Sequence, residues 1–266
     1  MAKALEDTVF TSLEKLRPTT EEIRFEPTAR RVRVMFGGTT IADTRAAMLM
    51  LEKRRMAIYY FPIKDVRQDL LVPTSFKSHH PGKGEATFFS VKVGEKLAEK
   101  AGWRYLSPER SELKDYVAFY WDKMDAWFEE DDEVFVHPRD PYHRVDVVNS
   151  SRHVKIVVGG EVVAETHRPR LLFETGLPVR YYIPKLDVRL DLLTPTHTHT
   201  RCPYKGIASY WSLTVNGKEF KDIVWSYPAP IPECPKIENL LCFYDEKVDA
   251  VYIDGEKQER PTTPWS

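Results

Sequence analysis

The sequence predicts a mainly β, β-rich α+β protein built from two tandem homologous antiparallel β modules with short helices in a pseudo-two-fold arrangement. The first observation is a repeat: residues 31–91 align with residues 153–213 without a gap, and 23 of the 61 positions are identical. About 6% identity is expected for unrelated residues of ordinary composition. The second observation is that both copies alternate apolar and polar residues, which is the period of half-buried strands. The chain is therefore predicted to contain two tandem copies of one module.

Each predicted element is supported by both copies. Alternating residues on both sides of Gly37-Gly38 and of Gly159-Gly160 predict a hairpin. The next segment looks helical in the first copy, but Pro169 and Gly176 would break a helix in the second. Because homologous copies share a backbone, we expect an extended segment or a single turn in both. Further strands follow, and each module is predicted to end in a short helix or turn and one last strand.

The repeat also predicts the domain organisation. We expect an N-terminal helical extension over 1–25, a divergent first module over 26–140, a second module over 141–255 and a flexible tail over 256–266. The join at 136–150 is short and polar and contains two prolines, so it should keep the modules in contact. The helix in the extension is indicated by apolar residues at helical spacing, namely Leu5, Val9, Leu13 and Leu16.

Composition excludes several functional classes. The net charge is −1, from 39 basic and 40 acidic side chains, which gives no electrostatic attraction to nucleic acid or to an anionic membrane. The first 30 residues lack the apolar segment of a secretory signal, and the three cysteines are too few and odd in number for a disulfide framework. We therefore expect a cytoplasmic protein with a small-molecule ligand and without a nucleic-acid or membrane partner. The sequence indicates no particular cofactor or oligomeric state.

The segment richest in chemical groups lies in the second copy, where residues 195–211 read PTHTHTRCPYKGIASYW. The first copy keeps the proline, lysine and glycine of this segment, as Pro81, Lys83 and Gly84, but has His80 where the second has Cys202. The second module is thus expected to carry the intact site.

The string T-x-C-P-Y-K-G-x-A-x-Y-W, at 200–211, resembles the signature of the family known as domain of unknown function 427. Other family patterns follow in the second copy and, in divergent form, in the first, covering about residues 26–255; they fall at Val154–Thr166, Glu174, Tyr182–Pro184, Asp187-Val188, Trp225–Pro230 and Phe243–Asp249. The resemblance implies a small, mostly β module without a settled activity, and a family label suggests nucleotidyl transfer. That chemistry requires carboxylates holding Mg²⁺ beside a phosphate-binding loop. Because Gly159-Gly160 lies in a hairpin pattern with no following helix, a nucleotidyltransferase is the least favoured function.

Cys202 has three interpretations. As a nucleophile, it would be favoured by the cations of Arg201 and Lys205, with His197 or His199 as the base. As a metal ligand, it would join His197 and His199, which project from one face of a strand at i and i+2. As a packed residue, it would fill a tight Cys-Pro turn with both histidines facing solvent, which is the commonest role of a lone cysteine.

Lys83 and Lys205 are expected to form salt bridges, with either the glutamate Glu52/Glu174 or the aspartate Asp65/Asp187 of the same module, at the edge of a pocket. The leading hypothesis is a small-molecule-handling protein in which Cys202 is the reactive group, Lys205 binds an anion or donates a proton, and Glu174 orients them. The alternative is a non-catalytic ligand-binding or protein-interaction module. The residues expected around the ligand are Tyr204, His197, His199, Tyr182, Trp211 and Trp225.

Overall fold

The computed structural model describes residues 23–52 and 55–263, which form two compact units: module one up to Tyr142 and module two from His143. The expected helix at 4–16 lies outside the described residues, and residues 23–25 of the predicted extension belong to a strand. Within the described ranges, no helix is long and apolar enough to cross a membrane.

Module one consists of short antiparallel strands: β1 (Ile23–Pro27), β2 (Val32–Phe36), β3 (Thr39–Thr44), β4 (Met48–Glu52), β5 (Ile58–Pro62), β6 (Leu71–His80), β7 (Gly84–Val93), β8 (Lys96–Tyr105), β9 (Tyr116–Phe119), β10 (Ala126–Glu129) and β11 (Asp132–Val134). A seven-stranded sheet has the order β1-β4-β5-β9-β8-β7-β6, and a four-stranded sheet has the order β11-β10-β2-β3. Short 3₁₀ turns connect them at Ile63–Asp65, Gln68–Leu70, Ser111–Leu113 and Trp121–Lys123.

Module two repeats this arrangement with β12 (Val145–Asn149), β13 (Val154–Val158), β14 (Glu161–Thr166), β15 (Arg170–Glu174), β16 (Arg180–Tyr182), β17 (Leu193–Cys202), β18 (Gly206–Val215), β19 (Lys218–Ser226), β20 (Cys242–Phe243), β21 (Ala250–Ile253) and β22 (Glu256–Lys257). The order β14-β13-β21-β22 matches the small sheet of module one. The larger sheet is divided into β12-β15-β16 and β17-β18-β19-β20, which meet at the bridge between Ile183 and Leu241. Its 3₁₀ turns are Lys185–Asp187, Leu190–Leu192 and Pro235–Ile237.

The hairpins predicted at the two glycine pairs are present as β2-β3 and β13-β14. Gly37 and Gly159 have φ values of 59° and 61°, and a Cβ there would lie 2.9 and 3.0 Å from the Cβ atoms of Val93 and Val215. Both the backbone conformation and the close packing therefore require glycine. The segment that looks helical in the first copy is extended in both modules, as β4 and β15, which confirms the inference from Pro169.

The tail expected to be flexible from residue 256 is held against module two over its described part. Residues Glu256–Lys257 form β22, and the side chains of Arg260 and Thr263 donate hydrogen bonds to Val248 O and Glu246. These contacts place the described part of the tail beside β21, where its polar groups find hydrogen-bond partners.

Candidate functional site

The candidate site is built on the tight turn between β17 and β18. Cys202 is the last residue of β17 and pairs with Gly206, the first of β18, while Lys205 N donates to Cys202 O at 3.3 Å. Gly206 has φ of 106°, and a Cβ on it would lie 3.3 Å from Ala229 O. The 229–234 loop therefore passes so close that a side chain at this position would require the loop to move, and the positive φ favours glycine as well.

The same turn exists in module one, where Gly84 has φ of 95° and a Cβ would lie 3.2 Å from Glu109 N. In each module the carbonyl of the preceding lysine accepts a hydrogen bond from the passing loop, at 3.1 Å from Glu109 N in module one and 3.1 Å from Ile231 N in module two. The Lys-Gly dipeptide is thus kept in both copies for a backbone reason as well as for the lysine side chain.

The two lysines form buried ion pairs with the glutamates at the ends of β4 and β15. Lys83 Nζ lies 2.6 Å from Glu52 Oε1, and Lys205 Nζ contacts Glu174 Oε2. At most 12% of any of these four side chains is exposed. The expected salt bridge is therefore present, and its acceptor is the glutamate. The aspartates instead accept hydrogen bonds from threonines, Thr44 to Asp65 at 2.6 Å and Thr166 to Asp187 at 2.7 Å.

His143 adds a second partner to Glu174. Its Nε2 atom lies 3.0 Å from Glu174 Oε1, and its ring stacks on Tyr204 with centroids 4.1 Å apart. Burial by itself raises the pKa of Glu174, but the hydrogen bond from His143 and the ammonium of Lys205 outweigh it and hold the pKa below its ordinary value. Glu174 is therefore a carboxylate that binds an imidazole through one oxygen and an ammonium through the other.

Sequence reasoning missed His143 because the repeat offset gives it no counterpart histidine. The residue reaches Glu174 because β12, which it precedes, runs beside β15 with Val145 opposite Glu174. The signal that could have found it is therefore the pairing of β12 with β15, not a motif.

Two thiols lie around this cluster. Cys202 is half-buried, whereas Cys234, in the 229–234 loop, is 2% exposed. Burial raises the pKa of Cys234 to about 11, against the opposing charge of Lys205, while the charges of Cys202 and Glu174 raise it further. Burial also raises the pKa of Tyr227, and the charges of Cys202 and Glu174 add to this rise, so these groups share one electrostatic neighbourhood.

The two histidines expected near Cys202 belong to the same strand as the cysteine. His197 and His199 are exposed on β17, and His199 Nδ1 lies 3.0 Å from the backbone oxygen of His197. The structure gives neither ring a contact with the Lys205–Glu174 pair. Over residues 23–52 and 55–263, no group of three or more His, Cys, Asp or Glu side chains is arranged to hold a metal ion.

Three aromatic residues expected near a ligand belong to the core. Trp225 Nε1 donates to Tyr182 Oη at 3.2 Å, and module one repeats the pair with Trp103 and Tyr60 at 3.3 Å. Tyr182 is 1% exposed and Trp225 is 7% exposed, while Trp211 packs against the edge of the core around Leu213 and Ile223. The burial of the Tyr182–Trp225 pair, repeated by Tyr60 and Trp103 in module one, indicates a packing role, and Trp211 is partly buried.

A family model described as Domain of unknown function (DUF427) matches residues 24–130 and again residues 146–254. The chain belongs to this family. It contains two tandem copies of the DUF427 module, one in each compact unit. A search of curated proteins finds no match to the chain.

The two DUF427 copies differ in the residues around the shared ion pair. Module two has Cys202 and Tyr204 where module one has His80 and Gly82. His80 is partly buried, and burial lowers its pKa, with Lys83 lowering it further. The lysine–glutamate pair is thus common scaffolding, and the thiol, the phenol and the stacked His143 are what module two adds to it.

Proposed function

We propose that module two handles a small molecule through the thiol of Cys202, with Lys205 as a fixed cation and His143 as the proton acceptor. The observation that carries the proposal is the double use of Glu174, which holds Lys205 on one oxygen and His143 on the other. A thiol, an oriented imidazole and a fixed cation are the groups that a nucleophilic cysteine site uses. We further propose a cytoplasmic location, where the three free thiols would stay reduced.

The chemistry of each group follows from its partner. Because His143 Nε2 faces a carboxylate, this nitrogen carries the proton in the neutral ring and Nδ1 carries the lone pair. In the proposed step the Cys202 sulfur bonds to an electrophilic carbonyl carbon, and the thiol proton passes to His143 Nδ1. The carbonyl π electrons move to the oxygen, whose negative charge Lys205 would stabilise. Lys205 acts as a charge rather than as a nucleophile because Glu174 engages its Nζ atom.

Nucleotidyl transfer has less support than this proposal. Both glycine pairs form hairpin turns between antiparallel strands, and Gly159 is packed against Val215 rather than open to a phosphate. A non-catalytic binding role for the same cluster is the alternative, and the reactivity of the thiol separates the two.

The test is the alkylation rate of Cys202 by iodoacetamide, followed by peptide mass spectrometry on the full chain from pH 5 to pH 9. We expect Cys202 to react at pH 7 at least about tenfold faster than a free model thiol, because transfer of the thiol proton to His143, as proposed, would activate the cysteine. The variant His143→Gln should lower this rate by about tenfold or more. The deeply buried Cys242, which is 1% exposed, provides an unreactive reference within the same sample.

The matched control is Lys83→Met, which removes the equivalent cation from module one and should leave the alkylation of Cys202 unchanged. Lys205→Met should reduce it. A Cys202 rate no greater than that of the model thiol, or a rate insensitive to His143→Gln, would contradict the proposed step and leave the non-catalytic alternative.

A further inference from the structure

Module two contains a cavity of about 340 Å³ that is separate from the Cys202 turn. Strand β16, the segment from Asp245 to Val251 and the start of the tail form its walls. Apolar lining comes from residues such as Val179, Val248 and Pro261, and Tyr181 presents the one aromatic ring among the lining residues described. The volume lies within the range of small-molecule sites, about 300–1,000 Å³.

The cavity exists because two tryptophans of module one have no counterpart in module two. In module one Trp127 stacks on Trp121, with ring centroids 4.4 Å apart and planes 7° from parallel. The strand register makes Val251 the equivalent of Trp127, since Trp127 pairs with Val34 and Val251 pairs with Ile156. Asp245 follows Phe243-Tyr244 as Trp121 follows Phe119-Tyr120. Valine and aspartate thus replace a stacked aromatic pair.

Tyr181 keeps the aromatic wall of that lost pair. Its equivalent in module one, Tyr59, stacks on Trp127 with ring centroids 6.5 Å apart. The two tyrosines are equivalent because Tyr59 pairs with Leu49 and Tyr181 pairs with the matching residue Leu171. In module one the Tyr59 hydroxyl is bonded to Glu129. In module two the residue equivalent to Glu129 is Ile253, because Ile253 pairs with Val154 as Glu129 pairs with Val32. Isoleucine cannot accept a hydrogen bond from the tyrosine hydroxyl. Tyr181 is thereby left to face the cavity.

Asp245 supplies a buried carboxyl group at the cavity wall. Only 9% of its side chain is exposed, and it accepts no hydrogen bond from the described part of the chain. Arg180 Nη1 lies 3.7 Å away, but the guanidinium directs both of its terminal nitrogens to Glu246. One guanidinium therefore faces two carboxylates. The charged residues at the cavity rim, Asp249, Lys257, Glu259 and Arg260, cancel one another, so the excess negative charge lies at Asp245.

We propose that this cavity binds a small, flat aromatic or heteroaromatic molecule that carries a protonated amine, with the ring against Tyr181 and the amine at Asp245. The ring would refill the space that the stacked tryptophans occupy in module one, and the ammonium would give the buried carboxylate the charge-assisted hydrogen bond that it lacks. Burial raises the pKa of Asp245 to about 7, with Arg180 opposing and Glu246 adding to the rise, which supports a carboxyl with too few partners. The site is independent of the Cys202 cluster.

The experiment compares three probes of one shape, tryptamine, indole and indole-3-acetate, by saturation-transfer NMR and calorimetry on the full chain. We expect tryptamine to bind most tightly and indole-3-acetate to bind at least about tenfold more weakly, a difference of about 1.4 kcal/mol. Asp245→Asn keeps the shape of the side chain and should remove most of the preference for the amine.

The occupancy of the cavity is tested by Val251→Trp, which restores the residue that module one carries and should abolish tryptamine binding. Val148→Trp is the matched control, because Val148 is 43% exposed on β12 and does not line the cavity. If Val251→Trp does not fold by circular dichroism, Asp245→Asn decides the question alone. The proposal is overturned if no probe binds at millimolar concentration, if Val251→Trp binds as wild type, or if the amine preference survives in Asp245→Asn. None of these outcomes bears on alkylation of Cys202.

Discussion

Lys100 and Asp222 occupy the same left-handed position in two copies of one bulge, with φ values of 50° and 49°. The backbone N–H of each donates to an equivalent serine, Ser90 at 3.1 Å and Ser212 at 3.3 Å. Their side chains, however, make different contacts: Lys100 lies over the ring of Phe76, whereas Asp222 accepts a hydrogen bond from Thr198, the equivalent of Phe76 in module two. The backbone of the bulge is therefore the same in both modules, while both members of the side-chain contact differ: Lys100 with Phe76 in module one, and Asp222 with Thr198 in module two.

The pair is expected to behave as a coupled unit under mutation. Asp222 accepts hydrogen bonds from Thr196 at 2.6 Å and Thr198 at 2.8 Å, whereas Lys100 Nζ lies 4.6 Å from the centre of the Phe76 ring. Asp222→Lys alone should lower the free energy of unfolding by about 1–3 kcal/mol, because both threonines lose an acceptor. Adding Thr198→Phe recreates the lysine–phenylalanine contact of module one and should recover part of the lost free energy of unfolding, with a coupling energy of about 0.5–2 kcal/mol. Urea denaturation of the two single variants and the double variant measures the coupling, and strict additivity would contradict it.

Loss of the buried cation should affect the two modules unequally. Removing one partner of a buried ion pair costs about 3–5 kcal/mol because the other charge stays buried. Glu174 retains a hydrogen bond from His143 when Lys205 is removed, whereas the next cation to Glu52 is the exposed Arg55 at 3.9 Å. Lys83→Met should therefore destabilise module one more than Lys205→Met destabilises module two. Hydrogen exchange in β7 and β18 reports each module separately, and the reverse order would contradict the prediction.

Asp245 should make the stability of module two fall as the pH rises through about 7. Burial raises the pKa of Asp245 from 3.8 in the unfolded chain to about 7 in the folded state. The folded state then binds more protons than the unfolded state between these values, so the stabilisation is complete below about pH 4 and is lost as the pH rises through the folded pKa. Between pH 5 and pH 8 the loss should be on the order of 2 kcal/mol. Asp245→Asn should be less sensitive to pH over this range, as measured by hydrogen exchange in β21; an unchanged pH dependence would count against the prediction.

The glycine at the candidate turn should tolerate substitution less well than a glycine in open space. Gly206→Ala places a Cβ 3.3 Å from Ala229 O at φ of 106°, whereas Gly160→Ala, at φ of 81°, meets no atom within 4 Å. Gly160→Ala should cost about 1–2 kcal/mol from backbone strain alone, and Gly206→Ala should cost about 1–2 kcal/mol more because the 229–234 loop must move. Thermal unfolding compares the two variants, and equal losses would show that the loop yields without cost.

The repeat allowed much of the fold to be predicted from the sequence. Pro169 in one copy excluded a helix at the β4 position of the other and left an extended segment or a single turn, and the glycine pairs identified both hairpins, because these residues restrict the backbone locally. A salt bridge of Lys205 was also predictable because the lysine persists in the two copies, but the choice of Glu174 over Asp187 was not, since both acidic residues persist as well.

The surroundings of the ion pair could not be predicted in the same way. The register of β17 against β18 shifts between Pro195 and His199, so alternation along the strand does not fix which face the intervening residues take. His143 reaches Glu174 only through the pairing of β12 with β15, which depends on tertiary packing. The replacement of a stacked tryptophan by Val251 opens a cavity only once the strand register is known.

Lys83 and Glu52 hold their turn without a thiol beside them. Module one keeps the ion pair although it has no cysteine at this turn, so the pair does not depend on a reactive thiol. Cys202, Tyr204 and His143 could therefore vary while the backbone of the turn stayed the same. The same polypeptide thereby contains a plain and an elaborated form of one turn under identical temperature, solvent and ionic strength, and the plain form shows what the ion pair and the backbone do without a thiol.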